Sequence, residues 1–181
     1  MFPGPQRRRP GAPCSVESSN ANQIRCLILA CGNTLREDDG VGPFLAHWAE
    51  ERWRDDARVR VLCDHQWTPE MAEDVAQAET IVFIDCATDS APGLVRCMAV
   101  KPAPDSTKLG MHHLDASQLL ALSKHVYGAM PRTSLLLTIG AGSLELREGF
   151  SAVVQAALPE ARQGLEDTVQ RLLSSKTVQR A

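Results

Sequence analysis

Aromatic residues are scarce in this chain of 181 residues, at 4%, and neither charge dominates: 19 Lys and Arg stand against 22 Asp and Glu, a formal net charge of −3. That balance excludes the broad basic surface with interleaved stacking aromatics that marks a nucleic-acid binder. No apolar run approaches the roughly 20 residues needed to span a bilayer, so no membrane partner is expected. The six cysteines (Cys14, Cys26, Cys31, Cys63, Cys86, Cys97) form no C-x-x-C pair, and five lie in apolar, strand-like runs. They are expected to be small buried hydrophobes in a reducing compartment, which points to the cytoplasm. A Walker loop, a G-x-S-x-G elbow and an H-E-x-x-H helix are also missing.

What is present is an alternation of strand-length apolar runs with segments of helical period, the pattern of a mainly parallel sheet covered by helices on both faces. About five strands and four helices are expected. The strands are predicted at 25–31, 58–63, 80–85, 93–100 and 132–142, the first and third as buried central strands and the second nearer an edge. Helices are predicted over about 40–54, 68–78, 116–128 and 151–173, with Thr68, Asp115 and Ser151 as N-caps and Gly128 as a terminator. Phe44, Leu45, Trp48 and Trp53 form the apolar stripe of the first helix, and Val153, Val154, Ala157 and Leu165 that of the last, which Pro159 is expected to kink or divide. Residues 1–23, rich in Pro, Gly, Ser and Asn around Arg7, Arg8 and Arg9, read as a disordered tail without the apolar core of a secretory leader. A single domain over 24–174 and a frayed end over 175–181 complete the expected organisation.

The segment "CLILACGNTLREDDGVGPFLAHW" (26–48) opens like a nucleotide-binding turn, yet it places Glu37, Asp38 and Asp39 where a phosphate would need amides. Like charges in a half-buried crevice repel, so a nucleotide is disfavoured. In an open parallel sheet, ligands bind at the carboxyl ends of the strands. Asp39 after the first strand, Asp85 at the end of the third, and His112 or His113 in the loop before the third helix all fall there. Two carboxylates and an imidazole suit a divalent ion such as nickel, zinc or manganese. The plainer alternatives are that Asp38 or Asp39 caps the following helix, and that Asp85 turns back onto a loop amide. His65 sits at the same rim as a substrate contact or a helix-entry residue, His47 and His125 lie within helices as structural residues, and Cys86 is a thiol nucleophile only if it escapes burial.

Together "ILACGNTLREDDGVGPFLA", "HQWTPEMAEDVA", "IVFIDCA" and "MHHLDASQLLALSKHVYG" resemble, in order and spacing, the blocks of the nickel-iron hydrogenase maturation endopeptidases. The resemblance covers about 25–173, with Ala30 standing where that family often has glycine. It implies a three-layer α/β/α sandwich and a site of Asp39, Asp85 and His112, with His112 preferred over His113 because a leucine, Leu114, follows two residues later. It further implies removal of a C-terminal extension from the precursor of the hydrogenase large subunit once nickel is in place. The nickel comes with the substrate, so no permanently bound cofactor is expected. A binding module that checks the nickel-loaded precursor without cutting it is the alternative.

Overall fold

The structure, a computed structural model, describes residues 24–104 and 114–175. The tail expected over 1–23, both His112 and His113, and residues 176–181 lie outside the described residues.

The apolar run near the start of the described chain forms β1 (Cys26–Cys31), buried along its whole length. It lies between β2 (Val59–Asp64) and β3 (Thr80–Ala87), parallel to both. Beyond β3 the sheet continues with the parallel β5 (Thr133–Gly140) and ends in β4 (Val95–Ala99), antiparallel to β5. The order β2-β1-β3-β5-β4 gives the five-stranded, mainly parallel sheet expected, with β2 at an edge.

Side chains alternate across a strand, and this sheet buries both sets. Cys26, Ile28, Ala30, Val82 and Ile84 pack with Leu45 and Ala49 of α1 (Val41–Arg52) and with Val154 and Leu165 of α4 (Ala152–Ser174). On the other face, Leu27, Leu29, Ile81 and Phe83 pack with Val75 of α2 (Ala72–Gln77) and with Leu119 and Leu120 of α3 (Ala116–Tyr127). The result is three layers, α1 and α4 over one face and α2 and α3 over the other. Each fully buried Leu, Ile or Phe contributes roughly 1.5–3 kcal/mol relative to its exposed state, which is why the central strands show no polar alternation.

Several local expectations change. β3 runs two residues past Asp85, because Cys86 and Ala87 keep their pairing with Ile139 and Gly140. Pro159 sits inside an unbroken α4. It is exposed, so the carbonyl it frees one turn earlier faces water. Val153 is also exposed, while Val154, Ala157 and Leu165 enter the core. Thr68 makes no side-chain cap, and a 3-10 turn at Pro69–Met71 leads into a shorter α2. Cys63 and Cys97 are exposed, in contrast to Cys26 and Cys31, because they sit on the two edge strands. The caps of the other two helices form as the sequence indicates. Asp115 and Gln118 make a reciprocal capping box, Gly128 closes α3 in the left-handed conformation, and the Ser151 hydroxyl accepts from the Val154 N–H.

Candidate functional site

The chain leaves β1 through α1 to reach β2 on one side, then crosses by α2 on the opposite face to reach β3 on the other side. Strand order therefore reverses between β1 and β3, and an open α/β sheet has its crevice at that point, outside the carboxyl ends. Asp39 follows β1 and Asp85 lies near the end of β3, so the topology brings both to one place. They line a single cleft of about 360 Å³ together with Cys31, His65, Trp67 and Asp115.

Asp39 reaches the cleft because the chain doubles back directly after β1. Gly32 adopts φ +145°, and a Cβ there would lie 2.0 Å from the Asp39 carbonyl oxygen, a contact only glycine avoids. The Asn33 side chain accepts from the Leu35 N–H at 2.9 Å, and the Asn33 N–H donates to Asp39 Oδ2 at 3.0 Å. A 3-10 turn over Glu37–Gly40 then carries the chain into α1.

The three consecutive acids take three separate positions. Glu37, whose backbone has the left-handed φ of 48° uncommon for a non-glycine residue, is fully buried and paired with Arg147. Asp38 is fully buried and accepts from Gly142, Ser143 and Ser151. Only Asp39 lines the cleft. Neither Asp38 nor Asp39 supplies a side-chain cap to the following helix. Hydrogen bonds from Arg147 and then Ser143 hold the Glu37 carboxyl below its ordinary range. Burial pushes Asp38 up, but its bonds from Ser151, Ser143 and Gly142 outweigh it and leave the carboxyl lowered.

Asp85 has the opposite balance. Register pairs Ala30 with Ile84, which brings Cys31 and Asp85 side by side one step further on. The Cys86 N–H donates to Asp85 Oδ1 at 2.7 Å, and the Cys31 thiol lies beside the same carboxylate. Burial raises the Asp85 carboxyl, the neighbouring Cys31 thiol and the Cys86 N–H lower it, the Asp39 charge raises it further, and the net direction is up. A half-buried carboxyl that resists ionisation beside a second carboxylate is the kind of group that can hold or pass a proton.

The remaining expectations sort by geometry. His65 is exposed at the cleft rim, with its backbone N–H bonded to Asp64 Oδ1 at 2.6 Å. His47 is exposed beside Glu50 and Glu51, and His125 is exposed on α3. Cys86 turns to the α1 and α4 side of the sheet, away from the cleft, and burial pushes its thiol up to about 12. Among the described residues, no group of three or more His, Cys, Asp and Glu side chains is arranged to hold a metal ion. The expected triad needs His112, which lies outside the described residues. Sequence reading did not find Cys31 as a partner of Asp85. Its signal was positional, a thiol immediately before the Gly32 corner on the strand beside β3.

No protein-family model matches the chain. It is 28% identical over 141 residues to a hydrogenase expression/formation protein of Azotobacter chroococcum mcd 1, covering 73% of this chain and 67% of that protein. It is 25% identical over 142 residues to the hydrogenase 2 maturation protease of Escherichia coli (strain K12), covering 76% and 86%. Among solved structures, the E. coli hydrogenase maturating endopeptidase HybD superposes with a TM-score of 0.66 at 22% identity, over 82% of this chain and 93% of that one. The nickel-iron hydrogenase maturation protease HybD of Thermococcus kodakarensis superposes with a TM-score of 0.57 at 24% identity, over 80% and 99%. No helix among the described residues is long and apolar enough to cross a membrane. In sequence the chain is thus similar to proteins of hydrogenase maturation, among them a protease, and it shares the fold of the hydrogenase maturation endopeptidases.

Proposed function

We propose that this chain is the endopeptidase that removes a C-terminal extension from a nickel-iron hydrogenase large-subunit precursor after nickel insertion. The observation that carries the reading is the convergence of Asp39 and Asp85 on one cleft at the switch point of the sheet, in a relative of maturation proteases. The nickel is part of the substrate. In this proposal Asp39, Asp85 and His112 approach it when the precursor enters the cleft, and so fix the scissile peptide. Nickel polarises the carbonyl or the attacking water as a Lewis acid, and a carboxylate of the pair takes the water's proton. The step belongs to the cytoplasm, a reducing setting that suits the five free cysteines among the described residues.

Intact-mass analysis of the precursor, loaded with nickel or free of it, tests this reading. A defined C-terminal loss from the loaded form alone is expected with the wild-type chain, and no loss with Asp39→Ala or Asp85→Ala. Wild-type cleavage by both variants would sink the site assignment. A stable complex with uncut, loaded precursor would make the chain a checkpoint instead.

A further inference from the structure

Asp38 is next to Asp39 yet faces away from the cleft, and its carboxylate is saturated. Oδ2 accepts from the Gly142 N–H at 2.8 Å, the Ser143 N–H at 2.8 Å and the Ser151 hydroxyl at 2.7 Å, while Oδ1 accepts from the Ser151 N–H at 2.7 Å. The Asp38 N–H donates in return to the Ser143 carbonyl at 3.3 Å, and the Glu37 N–H to the Arg147 carbonyl at 2.8 Å. The turn that presents Asp39 is thus tied from behind to the 141–151 connection between β5 and α4. From the front it is packed against β1: a Cβ on Gly32 would strike the Asp39 carbonyl, and one on Gly42 the Cys31 carbonyl, both at 2.0 Å. With both sides of the turn held, a displacement at residue 38 passes through one peptide unit to residue 39.

We propose that Asp38 is a positioning residue, which fixes the direction of the Asp39 carboxylate by anchoring its turn to the β5–α4 connection. The inference rests on the protease reading for its effect on turnover but not for the anchoring itself. The competing account is that Asp38 only stabilises the start of α4, whose N-cap is the same Ser151. The two accounts differ in what happens in a folded variant. An anchor sets the geometry of Asp39, whereas a staple for α4 changes stability alone.

Asp38→Asn keeps the side-chain volume but turns one acceptor oxygen into a donor. Because N–H groups face both oxygens, a donor meets a donor whichever way the amide lies. Ser151→Ala removes one of the four bonds and gives a milder variant should Asp38→Asn fail to fold. Val169→Ala, in the core and away from the site, is the control for lost stability.

Amide hydrogen exchange on the full chain reads the anchoring directly through the Asn33 N–H, which bonds to Asp39 Oδ2. Exchange there should speed up in Asp38→Asn, and to a smaller degree in Ser151→Ala, but not in Val169→Ala. On nickel-loaded precursor, well below every melting midpoint, kcat should fall about tenfold or more in Asp38→Asn with KM within about threefold, since misplacing a reacting group acts on turnover. The Val169→Ala chain should keep its kcat. Unchanged Asn33 exchange in a folded Asp38→Asn or Ser151→Ala chain would overturn the proposal, as would a kcat loss no larger than that of Val169→Ala. A wild-type chain that leaves loaded precursor intact overturns the protease reading instead, and Asn33 exchange still decides the anchoring.

Discussion

The side chain of Cys31 lies beside the carboxylate of Asp85, across the two central strands of the sheet. This thiol and the Cys86 N–H, at 2.7 Å from Oδ1, favour the charged carboxylate, against burial and the nearby charge of Asp39. Asp85 is therefore held in an environment that disfavours its ionised form. Asp85→Asn keeps an acceptor oxygen for the Cys86 N–H and removes the charge. It should stabilise the chain at pH 7, by about 1 kcal/mol on the usual scale for relieving a destabilised functional site. Urea denaturation of the two chains at pH 7 measures this, and a destabilised Asp85→Asn would contradict the account.

The same substitution should abolish most processing. Asp39→Asn and Asp85→Asn should each lower turnover of nickel-loaded precursor by about 10²–10⁴-fold, the range for loss of a positioned acid or base. The opposite signs are the informative result: activity falls while stability rises in Asp85→Asn. Single-turnover cleavage followed by mass spectrometry reads the activity. A variant that loses stability and activity together would indicate simple unfolding.

Much of this arrangement was legible in the sequence because its signals are local. The continuous apolar runs gave β1 and β3, the alternation at 58–63 gave an edge strand, and Asp115, Gly128 and Ser151 fixed helix ends through their own backbones. The carboxyl-end rule brought Asp39 and Asp85 together although they are remote in sequence. What could not be read depends on distant partners. Glu37, Asp38 and Asp39 look alike in a row, and only Arg147, Ser143 and Ser151, more than a hundred residues away, assign two of them to structure. Cys97 reads as a core residue from its neighbours, but β4 is an antiparallel edge strand with little to cover it. Trp67 enters the apolar cluster behind the cleft by packing edge-on against Phe83, a contact that no spacing in "HQWTPE" announces.

The Gly-Val-Gly at the entry to α1 has a packing cause that can be tested by sign. A Cβ on Gly42 would lie 2.0 Å from the Cys31 carbonyl oxygen and 2.9 Å from its carbon, both backbone atoms that cannot step aside alone. Gly42→Ala should therefore push α1 off β1 and destabilise the chain by about 1–3 kcal/mol, the usual cost of overpacking. A Cβ on Gly164, inside α4, would meet nothing within 4 Å. Gly164→Ala should stabilise by roughly 0.5–1 kcal/mol through helix propensity. Thermal melts of both variants check the contrast, and two changes of the same sign would defeat it.

Acid should unfold this chain through the two acids that do not reach the cleft. Glu37 and Asp38 have carboxyls lowered from ordinary values of 4.5 and 3.8. The unfolded chain thus takes up protons at those positions before the folded one does. Their stabilisation is complete above the ordinary values and is lost as pH falls through them toward the lowered folded values. Asp85 has the reverse sign, since its folded carboxyl is raised above 3.8 and its unfavourable contribution grows as pH rises through that window. Acidification relieves Asp85 while it undoes Glu37 and Asp38, so the wild-type acid limb is shallower than the buried pair alone would give. Arg147→Ala, which removes the leading cause of the lowered Glu37, should flatten the fall in stability between pH 6 and pH 3, a window spanning the roughly 4 of ordinary carboxylates. Asp85→Asn, which removes the compensating group, should steepen it. Denaturation midpoints of the three chains across that range measure both slopes, and a flatter Asp85→Asn limb would reverse the sign assigned to Asp85.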